Sequence, residues 1–308
     1  PERADGKSIL PWFGNRIAAE IRLPEAIDRK LLCPFSYFGV TDDTVDLTSV
    51  KWSRGGYDES DLERVYVFET ENAKKRAQLV ARSVEKYATD IDRMHGIGFC
   101  VSKAHAKFMA EQFSRFGIPS IALTSDSTQE ERASARARLV EGSIKFIFTV
   151  DLFNEGVDIP EIDTVLFLRP TQSLTVFLQQ LGRGLSEGKE CLTVLDFIGE
   201  QNRRFDFQSR FQALLEQTTD PIERQVRNGF TAAPKGCYIH LERIAQQHVL
   251  DNIRDALGRT SAIVAAIRTF EADSCLPLTL ANFVAYYHLD VRDIYKRASF
   301  SRLCVEAG

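Results

Sequence analysis

Three residues close a stretch that reads TVFLQQLGRG: Gln179, Gly182 and Arg183. A guanidinium is permanently charged and presents a planar fork of donors that matches carboxylate and phosphate oxygens. A glycine beside it lets a helix end come close to a ligand. Upstream, a loop rich in carboxylates holds Glu155 and Asp158, with Gly156 where a bulky side chain would block close approach. Ser102 and Lys103 open a helical pattern, where free backbone N–H groups and the helix dipole suit a phosphate. Thr124, Ser125 and Thr149 stand at the ends of apolar runs, with hydroxyls able to bond phosphate oxygens. The chemistry on offer is recognition of phosphate-bearing molecules at more than one place. Taken singly, each residue has a plainer reading: a helix cap, a solvated turn acid before proline, a surface arginine, a rim carboxylate paired with a lysine.

The elements that must position these residues alternate. Residues 146–150 and 164–168 are short apolar runs of the kind that form buried strands of a parallel sheet. The carboxylate loop lies between them, and the helix ending in Gln179, Gly182 and Arg183 follows the second. Ligands of open α/β sheets bind at the carboxyl ends of strands, so loop and helix end are both expected at that one edge. Further strands are predicted at 98–101, 121–123 and 191–197, five in all. Ser102 can cap the helix that carries Phe108, Met109, Phe113 and Phe116 and stops at Gly117. A capping box at 127–130 starts a helix over 131–140. Strands alternating with helices imply a parallel sheet with right-handed crossovers.

Three motifs in this order carry a resemblance. Gly98–Ser102 (GFCVS), Glu155–Pro160 (EGVDIP) and Gln179–Arg183 (QQLGR) resemble motifs IV, V and VI of superfamily 2 helicases, in the branch of type III restriction and excision-repair enzymes. The resemblance is good over roughly 97–199. It implies the second RecA-like lobe of a bacterial DNA helicase or translocase, whose ATP lies between two such lobes. Arg183 and Gln179 would then act on the γ-phosphate as it leaves, with Glu155, Gly156, Asp158 and Gly182 against the nucleotide and Asp158 on its ribose. Ser102, Lys103, Thr124, Ser125 and Thr149 would line the DNA, with RNA an open alternative. ATP and Mg2+ are the implied cofactors, the Mg2+ held mainly by a first lobe that precedes Pro1-Glu2-Arg3, and a nuclease module is a possible partner. The family motif runs Q-x-x-G-R-x-x-R, whereas position 186 is serine.

The expected fold is therefore α/β: a RecA-like parallel sheet with helices on both faces, then an all-helical C-terminal domain. Residues 1–70 would hold the tail of the first lobe and a linker, 71–200 the second lobe, and 201–308 a helical accessory domain. Within the first part, 17–27 and 31–38 are expected to supply the last strand of the preceding lobe and the crossing, and 41–63 a mobile linker with Gly55-Gly56. Helices are predicted at 71–87, 205–215, 222–226, 240–257 and 262–270, with a final short pair at 280–287 and 291–295.

Composition bounds the rest. The length of 308 residues fits about two domains. The net charge of −4 argues against a protein that coats nucleic acid, although residues 201–308 alone are slightly basic. No run approaches the roughly 18 apolar residues of a membrane span, so no membrane partner is expected. The six cysteines are too far apart for a C-x-x-C site and fit reduced thiols in the cytoplasm; the five histidines form no ligand-spaced cluster, so no metal site is expected. Two decoys fail on context. Gly6-Lys7-Ser8 lacks the upstream glycine of a phosphate-binding loop, and Asp58-Glu59-Ser60-Asp61 follows no apolar strand. Two rivals compete: a non-catalytic RecA-like docking module, and a small-molecule enzyme on a Rossmann-like sheet. The second calls for glycines after the first strand, where Val101-Ser102-Lys103-Ala104 has none.

Overall fold

A computed structural model describes residues 12, 20–53, 56–68, 70–88, 90–150, 159–202, 205–257, 260–274, 276–287, 291–295 and 298–307. Among the described residues nine strands form in chain order: β1 (Phe35–Thr41), β2 (Trp52–Ser53), β3 (Gly56–Tyr57), β4 (Gly96–Phe99), β5 (Ser120–Leu123), β6 (Phe146–Thr149), β7 (Thr164–Phe167), β8 (Leu192–Ile198) and β9 (Tyr238–Leu241). β2 and β3 make a small antiparallel hairpin, and the other seven make one sheet in the order β5-β6-β4-β7-β8-β1-β9. Every pairing in that sheet is parallel.

The helices before and within the sheet are α1 (Leu23–Asp28), α2 (Glu59–Glu63), α3 (Thr70–Tyr87), α4 (Lys103–Arg115), α5 (Gln129–Val140) and α6 (Leu174–Gly182). A turn of π-helix, Arg64–Phe68, joins α2 to α3. After β8 come α7 (Phe207–Gln212) and α8 (Ile222–Asn228), then β9, then α9 (Arg243–Leu257), α10 (Thr260–Ser274), α11 (Leu280–Tyr287), α12 (Val291–Tyr295) and α13 (Phe300–Ala307).

Because both faces of the sheet are covered at its centre, β4, β6 and β7 are buried throughout rather than alternating. One face sends Ile97, Phe99, Val165, Phe167 and Val194 into a large core with Phe177, Phe207 and Phe211. The other sends Phe146, Phe148, Leu166, Leu168 and Leu195 against Val80, Val84, Met109 and Phe113 of α3 and α4. The two glycines of β4 are part of this packing: a Cβ on Gly96 or Gly98 would meet the Phe146 or Phe148 ring within 2.6 Å. Helices α10, α11, α12 and α13 close a small core of their own around Phe270, Phe283, Ile294 and Leu303.

Several expectations are corrected. The sheet has seven strands, not five. The segment expected to cross over from a preceding lobe instead forms β1, which sits between β8 and β9 in the same sheet. Residues 23–28 are a helix rather than a strand, Pro24 fitting the first turn. The 41–63 stretch is no loose linker among its described residues, since Leu47, Val50, Tyr57 and Leu62 are buried in the main core. Beyond 200 the chain is not all helical, because Tyr238–Leu241 adds an outer strand before α9 begins. The capping box lies one residue later than expected, on Thr128 and Glu131, and α13 follows the expected final helical pair. No described helix is long and apolar enough to cross a membrane.

Candidate nucleotide and strand-binding edges

A parallel sheet has two chemically different edges, and the singled-out residues divide between them. At the carboxyl edge β4 ends and Ser102 caps α4, its oxygen accepting the His105 N–H at 3.1 Å. Lys103 pairs with Asp126 at 2.6 Å, both well exposed, so the lysine is readily released to a competing anion. Thr124, after β5, is only 4% exposed, and its hydroxyl accepts the Asp126 N–H at 3.3 Å; Ser125 beside it is exposed. Thr149 ends β6 fully buried, and its Oγ1 has no hydrogen-bond partner.

Helix α6 starts at this same edge, where Ser173 accepts the Val176 N–H. It then runs back along the sheet, so its far end lies at the amino edge, about 13 Å away for strands of four residues. Contacts fix that end. Cys33, two residues before β1, lies 3.8 Å from the Gly184 carbonyl, and Lys189 donates to the carbonyls of Gly184 and of Ile162, which leads into β7. A Cβ on Gly184 would strike Leu192 at the start of β8, 2.2 Å away. The expectation of one shared edge is thus corrected: a helix following a parallel strand must return antiparallel, which carries Gln179, Gly182 and Arg183 to the opposite edge. Gln179 and Gly182, three residues apart, are both exposed; Arg183, half-buried, caps the helix. A side chain on Gly182 would meet nothing within 4 Å, so this helix end is open to a ligand. Glu155, Gly156 and Asp158 lie outside the described residues, between the end of β6 and Ile159.

Support for the carboxyl edge comes from a buried network that the sequence reading missed. Arg76 of α3 donates to Asp42, after β1, at 2.7 Å and to the Leu168 carbonyl, after β7, at 3.1 Å. Its guanidinium lies 4.2 Å from the Tyr66 ring centre, and Tyr66 stacks on His105 at 5.2 Å. His105 Nδ1 accepts the Val101 N–H at 3.2 Å. Burial, with the Arg76 charge adding to it, pushes His105 well below the usual histidine range, so the ring is neutral. A second network lies under α6 and α7. Tyr37 donates to Asp196, and Arg210 pairs with Asp196 at 3.1 Å while its guanidinium sits 4.0 Å from the Phe177 ring centre. Burial raises the Asp196 carboxyl, although Arg210 and the Tyr37 hydrogen bond pull the other way. An aspartate inside the apolar run LTVLDFI was the available signal, since a buried carboxylate requires a partner. Of the two adjacent glutamines, Gln180 is the buried one, its Oε1 accepting from Thr171 at 3.1 Å.

Residues 63–188 match the family model of the helicase conserved C-terminal domain. Over this stretch, about two fifths of its length, the chain is similar to helicase C-terminal domains. The matched segment runs from the end of α2 past α6 and includes every site residue expected from the sequence. Among curated relatives of this domain, the putative ATP-dependent helicase IRC3 of Saccharomyces cerevisiae is 29% identical over 200 residues, 64% of this chain and 28% of that protein. The pre-mRNA-splicing ATP-dependent RNA helicase prp28 of Emericella nidulans is 24% identical over 139 residues, 45% of this chain and 18% of that protein. The chain therefore spans less than a third of the length of either relative. Among solved structures, the ATP-dependent type ISP restriction-modification enzyme LlaBIII bound to DNA aligns with 85% of this chain and 21% of its own, at 14% identity and a TM-score of 0.44.

Proposed function

We propose that this chain is the second motor lobe of an ATP-dependent DNA helicase or translocase, with its amino edge serving ATP and its carboxyl edge serving one nucleic-acid strand. The observation that carries the reading is the separation of the two residue sets. Gln179, Gly182 and Arg183 gather beside Ile162 at one edge, and Ser102, Lys103, Thr124, Ser125 and Thr149 gather at the other.

In this reading a first lobe cradles the phosphates and holds Mg2+; among the described residues no group of three His, Cys, Asp or Glu could hold a metal ion. Arg183 reaches the γ-phosphoryl group as the lobes close and stabilises the charge that develops in transfer, which costs no reorganisation if the helix end is already fixed. Gln179, one turn earlier, is placed to orient the attacking water. At the other edge, hydroxyls and a helix start bond phosphates and leave the bases unread. The helices after β9 serve as an accessory partner- or DNA-binding region, and a nuclease module is a candidate partner.

Arg183→Ala in the protein that includes the first lobe is expected to lower turnover about 10³-fold with little loss of nucleotide affinity. Arg183→Lys should rescue poorly, because an ammonium lacks the fork. Retention of more than about a tenth of turnover per folded molecule would remove the arginine from the mechanism. Stimulation compared between single-stranded DNA and RNA decides the strand chemistry. Ser186, where the family has a second arginine, favours one other reading, a docking lobe without catalysis; any strand-stimulated hydrolysis that depends on Arg183 eliminates it.

A further inference from the structure

A cavity of about 160 Å3 opens at the carboxyl edge, between the loop after β4 and the loop after β7. It is smaller than the roughly 300 Å3 and upward of a drug-sized site, and suits a single planar heterocycle. Val101, which lines it, immediately precedes Ser102, so the cavity lies directly on the proposed strand path. One wall is the Tyr57 ring of the β2–β3 hairpin. That ring is fixed from behind: its hydroxyl donates to Gln201 Oε1 at 2.9 Å and accepts the Asn202 N–H, and Trp52 packs against its edge at 4.9 Å. Pro170 and Val101 supply further apolar wall.

The polar lining combines the Gln172 amide with the hydroxyl residues Thr171 and Ser173 and one charge of each sign. Gln172 is half-buried, lines the cavity, and no hydrogen bond among the described residues engages its amide. Gly56 leaves room for it, since a Cβ there would come within 3.4 Å of Gln172 Oε1. Gln180 sits one helical turn after the lining residue Val176, fully buried, with its Nε2 lacking any partner. The lining also includes one cation and one acid, Arg169 and Glu59, a poor match for a phosphate on its own. Flat apolar walls with a primary amide, both donor and acceptor, match a nucleobase edge.

We propose that this cavity captures one unstacked base of the bound strand, with Tyr57 and Pro170 against its faces and Gln172 on its hydrogen-bonding edge. The inference rests on the strand-binding reading above and adds to it a contact to a base rather than to the backbone. An amide that can present either donor or acceptor accepts any base, so capture is positional rather than sequence-specific.

The test is an abasic walk: single-stranded DNA oligonucleotides, each lacking one base, titrated against this chain at low salt, with 2-aminopurine placed at the same positions in a parallel set. One position should stand out, its abasic form binding about tenfold more weakly, and 2-aminopurine there should change emission on binding. Gln172→Ala should flatten the walk. Tight binding with a flat walk overturns the base-capture proposal and leaves the strand reading intact. Absence of strand binding by the chain overturns both. The walk needs no variant, so a poorly folding substitution does not blunt it.

Discussion

Replacing Arg76 with alanine removes the cation paired with Asp42 in a space neither side chain shares with water: the two are 3% and 2% exposed. Breaking such a pair by deleting one partner leaves an uncompensated buried charge and typically costs about 3–5 kcal/mol. The same substitution also removes the bond to the Leu168 carbonyl and the stacking on Tyr66. Against a stability of roughly 5–15 kcal/mol for a folded domain this is a large fraction. The assay is equilibrium urea unfolding, read as a fall in unfolding free energy at an unchanged slope. Asp42→Asn should be costly by itself, since it strands the guanidinium instead. The double variant Asp42→Asn/Arg76→Ala should cost less than the two singles together, by about 1–3 kcal/mol. A loss below about 1 kcal/mol for Arg76→Ala, or strict additivity in the cycle, would refute the argument that this pair ties β1, β7 and α3 together at the carboxyl edge.

Further outcomes are expected elsewhere. His105 has a folded pKa below its ordinary 6.5, so the unfolded chain binds the extra proton first and stability falls as pH drops below about 6.5, by on the order of 1 kcal/mol between pH 7.5 and 5.5; His105→Gln should flatten that part of a stability–pH curve, and an unchanged slope would count against a neutral buried ring. Burial pushes the Glu242 carboxyl up, but hydrogen bonds from Lys86, Tyr87 and the Thr41 N–H outweigh it and bring it to about 2. Its contribution is present above about pH 4.5 and lost toward pH 2, and Glu242→Gln should cost about 1 kcal/mol at pH 7 once solvent screening is allowed for, measured by the same unfolding. Gly199→Ala places a Cβ 2.6 Å from the Asp42 carbonyl, backbone that cannot rotate away, and should cost about 1–3 kcal/mol in thermal or urea unfolding; a neutral result would show the β8 end to be pliant.

The parts of this fold legible in the sequence are those whose signals are local. Ser102 caps the helix that follows it, the capping box falls one residue from its expected place, and the runs at 146–150 and 164–168 form β6 and β7 within a residue. What escaped depends on partners remote in the chain. Phe35–Thr41 has a strand pattern, but nothing within it says that its neighbours are β8 and β9 rather than strands of another lobe. Tyr238–Leu241 is four residues long and runs almost directly into α9, so its pattern merges with the helix. The edge assigned to Arg183 was misread for a geometric reason: sequence gives the helix and its end, while the return direction across the sheet follows only from following β7 into α6. Arg76, Arg210 and His105 read as ordinary helix residues until their partners Asp42, Asp196 and Val101 are brought alongside.

The place of β1 in the sheet has a consequence for synthesis. Tyr37 and its partner Asp196 are 159 residues apart in the chain. At a ribosomal rate of roughly 5–20 residues per second, β1 emerges about 8–30 s before β8 can flank it. During that interval an apolar strand with two unpaired edges is exposed, while β4, β5, β6 and β7 can already assemble among themselves. Closure of long-range parallel pairs is also intrinsically slow. The nascent chain therefore presents a client for chaperones until residues beyond Leu241 have emerged, and a truncation placed anywhere between β7 and β9 leaves β1 without a complete seat.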